Sequence, residues 1–257
     1  KKIFRCKSMN TRIIAKLDVK PPYVVKPVHF EGLRKMGRAS ELAKKYYDQG
    51  ADELFYIDIV SSLYRRDILF DDIEKVANEL LIPFAAGGGV KSVEDFSRMF
   101  HMGADKVVIN TYAVQENPGI INKAAEVFGN QAVVVNIEAK KWNSHWECYT
   151  DCGRIQSKID VLEWTQEAEQ RGAGEILLQS VDADGRCRGF DIELSEKVVN
   201  LVNIPVVVSS GAGSLEDIKT LVEVAKPDGV AIASLLHYDR ATIQDIKQYL
   251  SIDNKQK

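Results

Sequence analysis

The sequence predicts an α/β chain folded as a (β/α)8 (TIM) barrel with two-fold half-barrel duplication. Three observations carry this. Short Val/Ile-rich runs alternate along the chain with longer stretches of helical period. Eight such pairs fit in 257 residues, a length that one α/β barrel fills as a single domain. And IPFAAGGGVKSVED (82–95) returns without a gap as IPVVVSSGAGSLED (204–217), 122 residues later.

The elements follow in order. Strands are expected at 12–18, 52–58, 82–86, 105–110, 132–138, 174–180, 204–209 and 228–233. Helices are expected near 38–49, 69–80, 92–102, 117–128, 160–171, 192–202, 214–225 and 241–250. Near-continuous apolar runs suit strands covered on both faces, as in a parallel sheet. No Pro/Ser-rich linker divides the chain. The one long excursion, residues 139–157, alternates aromatic and polar residues and predicts a hairpin over the barrel mouth. Its Trp142 and Trp146 can cover the substrate or pack on the rim, and packing is the default expectation. GADELFYID (50–58) also matches GAGEILLQS (172–180) at the same offset, and KLDV (16–19) corresponds to NIEAK (136–140) at a nearby one. The first four strands thus echo the last four.

Composition removes several function classes. The net charge of −3 offers no basic surface for nucleic acid. No apolar run is long enough to span a membrane. The opening KKIFRCKS is basic without an apolar stretch, so residues 1–10 read as a disordered leader, with Met9 a candidate natural start. Cys6, Cys148, Cys152 and Cys187 are irregularly spaced, and no second Cys/His pair completes a metal site around Cys148 and Cys152. Reduced thiols and a cytoplasmic setting are expected.

In this fold the chemistry sits at the C-terminal ends of the strands. Gly87, Gly88 and Gly89 end the third strand. Ser209, Ser210, Gly211, Ala212 and Gly213 end the seventh. Such turns let backbone N–H groups approach an anion, and each enters a helix capped by Ser92 or Ser214. Two copies on opposite sides of one mouth point to an elongated ligand with a phosphate at each end. Between them, Asp18 ends the first strand and Glu138 the fifth, facing each other as a candidate general acid and base. Either can instead cap a loop or pair with Lys26 or Lys140. Asp58, Asn110, Thr111, Gln179, Ser180, Asp182, Asp184 and Ser234 are further strand-end polar groups. Asp184-Gly185 lies in a loop able to offer amides to phosphate. His237 reads as structural. At the opposite end, Arg12, Glu53, Lys106 and Glu175 begin their strands. They predict a ring of ion pairs at the barrel floor, either a structural layer or a gate on a path through the barrel.

These residues, with the blocks RIIAKLDV, VVKPVHFEGLR, GADKVVINTYAV, FGNQAVVV and RGAGEILLQSVDADG, resemble the cyclase subunit family of imidazole glycerol phosphate synthase. The resemblance runs from Thr11 to Leu250. It implies a duplicated (β/α)8 barrel that uses no metal or organic cofactor. It implies ammonia supplied by a partner glutaminase docked on the N-terminal face and passed through the barrel. The implied substrate is the bisphosphate phosphoribulosyl formimino aminoimidazole carboxamide ribotide, converted to imidazole glycerol phosphate and aminoimidazole carboxamide ribotide in histidine biosynthesis. By position, Asp18 and Glu138 are the implied catalytic pair, with Asp18 the base and Glu138 the acid. Lys26, Gly88, Gly89, Asn110, Thr111, Asp184, Gly185, Gly211 and Ser234 are the implied substrate-binding set. Arg12, Glu53, Lys106 and Glu175, with Asp105 and Gln131, are the implied channel gate.

The departures lie at the mouth. Glu138 stands where the family has Asp. One extra methylene moves the carboxylate by about 1–1.5 Å, and a misplacement of that order in a preorganised site costs about 100-fold in rate. Pro27, Gln179, Ser210 and Arg186 also differ from the family pattern. An intact gate beneath an edited mouth equally suits a paralogue that delivers ammonia for amidination of a surface-polysaccharide or flagellar sugar. A non-catalytic activator of a glutaminase is the third reading. The pathway's sister isomerase needs no ammonia, so the floor ring argues against it.

Overall fold

The computed structural model describes residues 11–28, 31–62, 64 and 67–253. The expected leader, 1–10, lies outside the described residues. β1 (Arg12–Lys20) runs into an antiparallel pair, β2 (Tyr23–Val28) and β3 (Glu31–Arg38), before α1 (Ala39–Asp48). Then come β4 (Glu53–Asp58), α2 (Phe70–Ala77), β5 (Phe84–Gly87), α3 (Val93–His101), β6 (Lys106–Ile109), α4 (Thr111–Gln115) and α5 (Gly119–Phe128). The second half holds β7 (Val133–Trp142), β8 (His145–Thr150), β9 (Ile155–Asp160), α6 (Val161–Gln170), β10 (Glu175–Ser180) and α7 (Ile192–Leu201). It closes with β11 (Val206–Ser209), α8 (Leu215–Val224), β12 (Gly229–Ile232), α9 (Ser234–His237) and α10 (Ile243–Asp253).

The pairing order β1-β4-β5-β6-β7-β10-β11-β12 returns to β1, every pair parallel. This is a closed eight-stranded parallel barrel with helices between its strands, as the sequence predicts. Each of the eight expected strands and eight expected helices appears within a few residues of its predicted bounds. The sequence reading missed the β2–β3 pair and the short helices α4 and α9. The excursion is larger than a hairpin: β7 continues past the barrel and pairs with β8, which pairs with β9.

The barrel interior is layered by strand alternation, in which every second side chain points inward. Ile14, Phe55, Ala85, Val108, Val134, Leu177, Val207 and Ala231 form its apolar middle. Outside, the helices lay apolar stripes on the strands. In α3 these are Phe96 and Met99; in α6, Val161, Trp164 and Ala168. Burying a side chain such as Phe96 contributes about 1.5–3 kcal/mol.

The duplication is visible in the backbone. Ser92 and Ser214 each cap their helix with a full capping box, closed by Asp95 and Asp217. Asn110 and Ala233 precede α4 and α9 with similar unusual dihedrals, φ −138, ψ −89 and φ −123, ψ −75. On the floor, carboxylates of Asp52, Asp105 and Asp228 accept the backbone N–H of Ile13, Phe84 and Val206 at 2.7, 2.8 and 2.9 Å.

Candidate active site

A cavity of about 410 Å³ opens at the C-terminal ends of the strands. Asp18, Gly88, Gly89, Asn110, Thr111, Glu138 and Asp184 all line it. A smaller pocket of about 20 Å³ beside it is lined by Lys26, Asp184, Gly185, Gly211 and Ser234. The two anion-binding turns expected from the repeat therefore sit at separate ends of one mouth. Gly88 and Gly211 are fixed as glycine by close backbone. A Cβ on Gly88 would lie 2.3 Å from the Asp58 carbonyl oxygen, and one on Gly211 2.2 Å from that of Gly189. Both also have positive φ, +111 and +119.

The ends are not alike. Where Gly88 turns at φ +111, its repeat mate is Ser210 at φ +72, a conformation L-residues rarely adopt. Ser210 Oγ donates to Asp184 Oδ1 at 3.1 Å, and Lys26 Nζ reaches the same oxygen at 3.4 Å. Lys26 continues to Asp18 Oδ2 at 3.6 Å. A polar chain thus closes the second pocket and ties it to the first-strand carboxylate.

The two carboxyls at the mouth differ in state. Burial pushes Asp18 up, but Lys16 and Lys26 outweigh it and hold its carboxyl below the usual range. Lys16 Nζ also bonds Asp18 Oδ1 directly. Glu138 is pushed up to about 7, mainly by burial, against the Gly153 N–H, the Lys16 charge and an Asn110 hydrogen bond. Two carboxyl groups driven apart in this way divide into one anion and one proton carrier near neutral pH. His237 is pushed down to about 4 by burial and by Lys26. Its Nδ1 lies 2.7 Å from the Tyr46 hydroxyl, so it sits as a neutral ring in the packing, as expected.

Glu138 is held from the excursion. In the turn between β8 and β9, Asp151, Cys152 and Gly153 take φ of 51, 59 and 73 in succession. The Gly153 N–H donates to Glu138 Oε2 at 2.7 Å. The Asp151 N–H donates to Thr111 Oγ1 at 3.3 Å, and the Cys152 thiol to the Ile59 carbonyl at 3.1 Å. The turn thus pins three loops of the mouth together. Thr111 serves this turn as well as lining the cavity. Trp146 is buried on the far side of β8, donating to Asp191 Oδ2 at 2.9 Å, while Trp142 is exposed.

At the other end, the ring of ion pairs is closed. Arg12 bonds both Glu53 and Glu175. Lys106 bonds the same two carboxylates, each at 2.8 Å. The glutamates are buried and the cations face outward. Glu53 is raised, burial and the Glu175 charge outweighing the cations. Asp105 and Gln131, expected with this gate, are not brought into the ring. Asp105 is committed to the Phe84 N–H, and Gln131 is exposed and donates to the Phe128 carbonyl at 3.1 Å.

Sequence reasoning missed Lys16, Asn136 and the 151–153 turn. Lys16 was within reach: Arg12, Ile14, Lys16 and Asp18 form one inward row by period-2 alternation. Gln179, across from Glu138 in the β7–β10 register, donates to Asn136 Oδ1 at 2.8 Å. The turn gave no signal, because its role depends on long-range folding.

Among the described residues, no helix is long and apolar enough to cross a membrane. The family model described as "Histidine biosynthesis protein" matches residues 12–242. Among similar proteins, one from Dehalococcoides mccartyi, named imidazole glycerol phosphate synthase subunit HisF, is 44% identical over 242 residues, covering 94% of this chain and 95% of that protein. Proteins of the same name from Pyrococcus furiosus (44% over 241 residues, 93% and 95% covered) and Lactococcus lactis subsp. cremoris (46% over 244, 94% of each) agree. The chain, matched over nearly its whole barrel, belongs to the histidine biosynthesis protein family.

Proposed function

We infer that this chain is the cyclase subunit of an imidazole glycerol phosphate synthase. It uses ammonia from a partner glutaminase to turn phosphoribulosyl formimino aminoimidazole carboxamide ribotide into imidazole glycerol phosphate and aminoimidazole carboxamide ribotide. The relatives' name supports the activity. The observation that carries the mechanism is the pair of unlike carboxyls, Asp18 and Glu138, on the main cavity, which holds the Gly88 turn and adjoins the small pocket of the Gly211 turn.

The substrate lies across the mouth. One phosphate meets Gly88, Gly89 and Asn110; the other meets Gly185, Gly211 and Ser234. Ammonia enters at the floor between Arg12, Glu53, Lys106 and Glu175, where the glutaminase docks. It passes the apolar middle and attacks the substrate carbonyl to give an imine. Glu138, neutral near pH 7, protonates the departing oxygen. Asp18, the anion of the pair, takes the proton released in ring closure and cleavage.

The test is direct. The purified chain is mixed with the bisphosphate and excess ammonium, and loss of substrate absorbance is followed. Turnover that Asp18→Asn abolishes supports the cyclase. No turnover, with the bisphosphate unbound, would overturn it and direct the delivered ammonia to another acceptor.

A further inference from the structure

Lys16 holds Asp18 ionised, but its place in the wall shared by the two pockets goes beyond that pairing. It lies on the inward row of β1, directly above Ile14 and below Asp18, and is only 4% exposed. A lysine this deep normally exists to neutralise one carboxylate. Here one carboxylate draws on two cations. The other oxygen of Asp18 faces Lys26, itself buried and paired onward to Asp184. Lys16 brings a second cation to the same carboxylate.

Its position is equally specific. Lys16 lines both the main cavity and the small second pocket. Among the described residues, Asp184 and Ser210 alone share that property. Any ligand with one end in each pocket must cross this wall, so its middle passes the Lys16 ammonium. An ammonium carries three N–H donors. Among the described residues the structure gives one bond from Lys16, to Asp18. An ammonium so held can turn a further N–H to a ligand.

We propose that Lys16 is a further catalytic residue, donating a hydrogen bond to the substrate carbonyl oxygen that gathers charge when ammonia attacks between the two pockets. The proposal rests on the cyclase reading above. In this step the ammonia lone pair forms the C–N bond and the carbonyl π pair moves to oxygen. The Lys16 N–H stabilises that oxyanion. The Glu138 carboxyl gives the oxygen a proton and recovers one from the new ammonium nitrogen, so the carbinolamine forms with no net proton change. Asp18, held between two ammonium groups, orients Lys16.

The experiment compares wild type with Lys16→Met, Lys16→Gln and Lys16→Arg, using the bisphosphate at fixed free ammonia from pH 6 to 9. Melting curves and bisphosphate-induced thermal shifts are recorded for each. A lost oxyanion donor costs about 100–1,000-fold in kcat. The expected result is a loss of that order in Met and Gln, KM within about threefold, and partial rescue by Arg. The alkaline limb of kcat, set by Glu138, should also move to higher pH in Met and Gln. Glu138 is faced by Gly153, Asp151 and Cys152 from the turn, by Asn110 from the end of β6, and by Lys16 from β1. Only the last is removed. Folded Met and Gln variants within tenfold of wild-type kcat, or with an unmoved limb, would overturn the proposal. A wild type that turns over no bisphosphate would overturn it together with the cyclase reading, and the two failures are told apart by that control.

Discussion

Glu138→Gln should make the protein more stable at alkaline pH and leave it little changed in acid. The carboxyl is pushed from 4.5 to about 7. A group with a raised acid constant keeps its proton in the folded state while the unfolded chain releases it. Below pH 4.5 both states hold the proton and nothing is lost. As pH rises from 4.5 to about 7 the unfolded state is progressively favoured, and above that the penalty is constant. At ~1.4 kcal/mol per pH unit, the shift corresponds to a penalty of about 3 kcal/mol. Glu138 keeps some exposure to the cavity, so water there screens the charge and about 2–3 kcal/mol is the expected range. Glutamine keeps an acceptor for the Gly153 N–H and never ionises. The assay is denaturant unfolding of both proteins at pH 5 and pH 8.5. The stability difference between them should change by that amount across the two pH values, because all other titrations cancel in the comparison. A difference constant within ~0.5 kcal/mol would refute the reasoning and remove Glu138 as the proton carrier at neutral pH.

Other perturbations probe the remaining parts. Arg12→Ala leaves two buried glutamates sharing Lys106, and should cost about 2–3 kcal/mol, below the full value for a buried pair because Arg12 is partly exposed; turnover with glutamine and the glutaminase should fall further than turnover with ammonium. Gly88→Ala forces a side chain against the Asp58 carbonyl at positive φ, costing about 1–3 kcal/mol, and should abolish the thermal shift caused by the bisphosphate. Ser210→Gly relieves a non-glycine residue at φ +72 but loses its bond to Asp184, so stability should change by less than ~1 kcal/mol while bisphosphate binding tightens as the second pocket opens. Ser92→Ala and Ser214→Ala each remove one half of a matching capping box and should cost the same, about 1 kcal/mol, in thermal unfolding.

The barrel was legible because its signals are local. Eight apolar runs of strand length, each followed by a helical period, need no distant information. The repeat then placed both glycine turns and both capping boxes at once. The floor ring of ion pairs was legible for a similar reason: Arg12, Glu53, Lys106 and Glu175 each begin a strand, and a closed barrel brings those strand starts together. What escaped depends on where chain segments meet. Nothing local announces that Gly153 offers its N–H to Glu138, or that Ser210 reaches Asp184. Asp105 shows the converse limit. Its position at the floor was right, but its carboxylate is used by a strand N–H in the same way as Asp52 and Asp228, which no motif distinguishes from a gate role.

The duplication also explains why two similar residues behave differently. Asp18 and Glu138 occupy matching places in KLDV and NIEA. Two symmetric carboxylates in identical surroundings would have equal intrinsic affinities for a proton, with nothing to fix which of them is the acid. The residue two positions earlier breaks the tie. In the first half it is Lys16, whose charge holds Asp18 ionised. In the second it is Asn136, a neutral amide turned to Gln179, so burial decides the state of Glu138. The copies kept the glycine turns and the capping boxes. They diverged at the residues that set the two carboxyls apart. Exchanging that pair, as Lys16→Asn with Asn136→Lys, should therefore lower the Glu138 limb and raise the pKa of Asp18. Carboxyl NMR titration of the double variant reads both directly, and limbs that stay in place would show that position, not charge, divides the two roles.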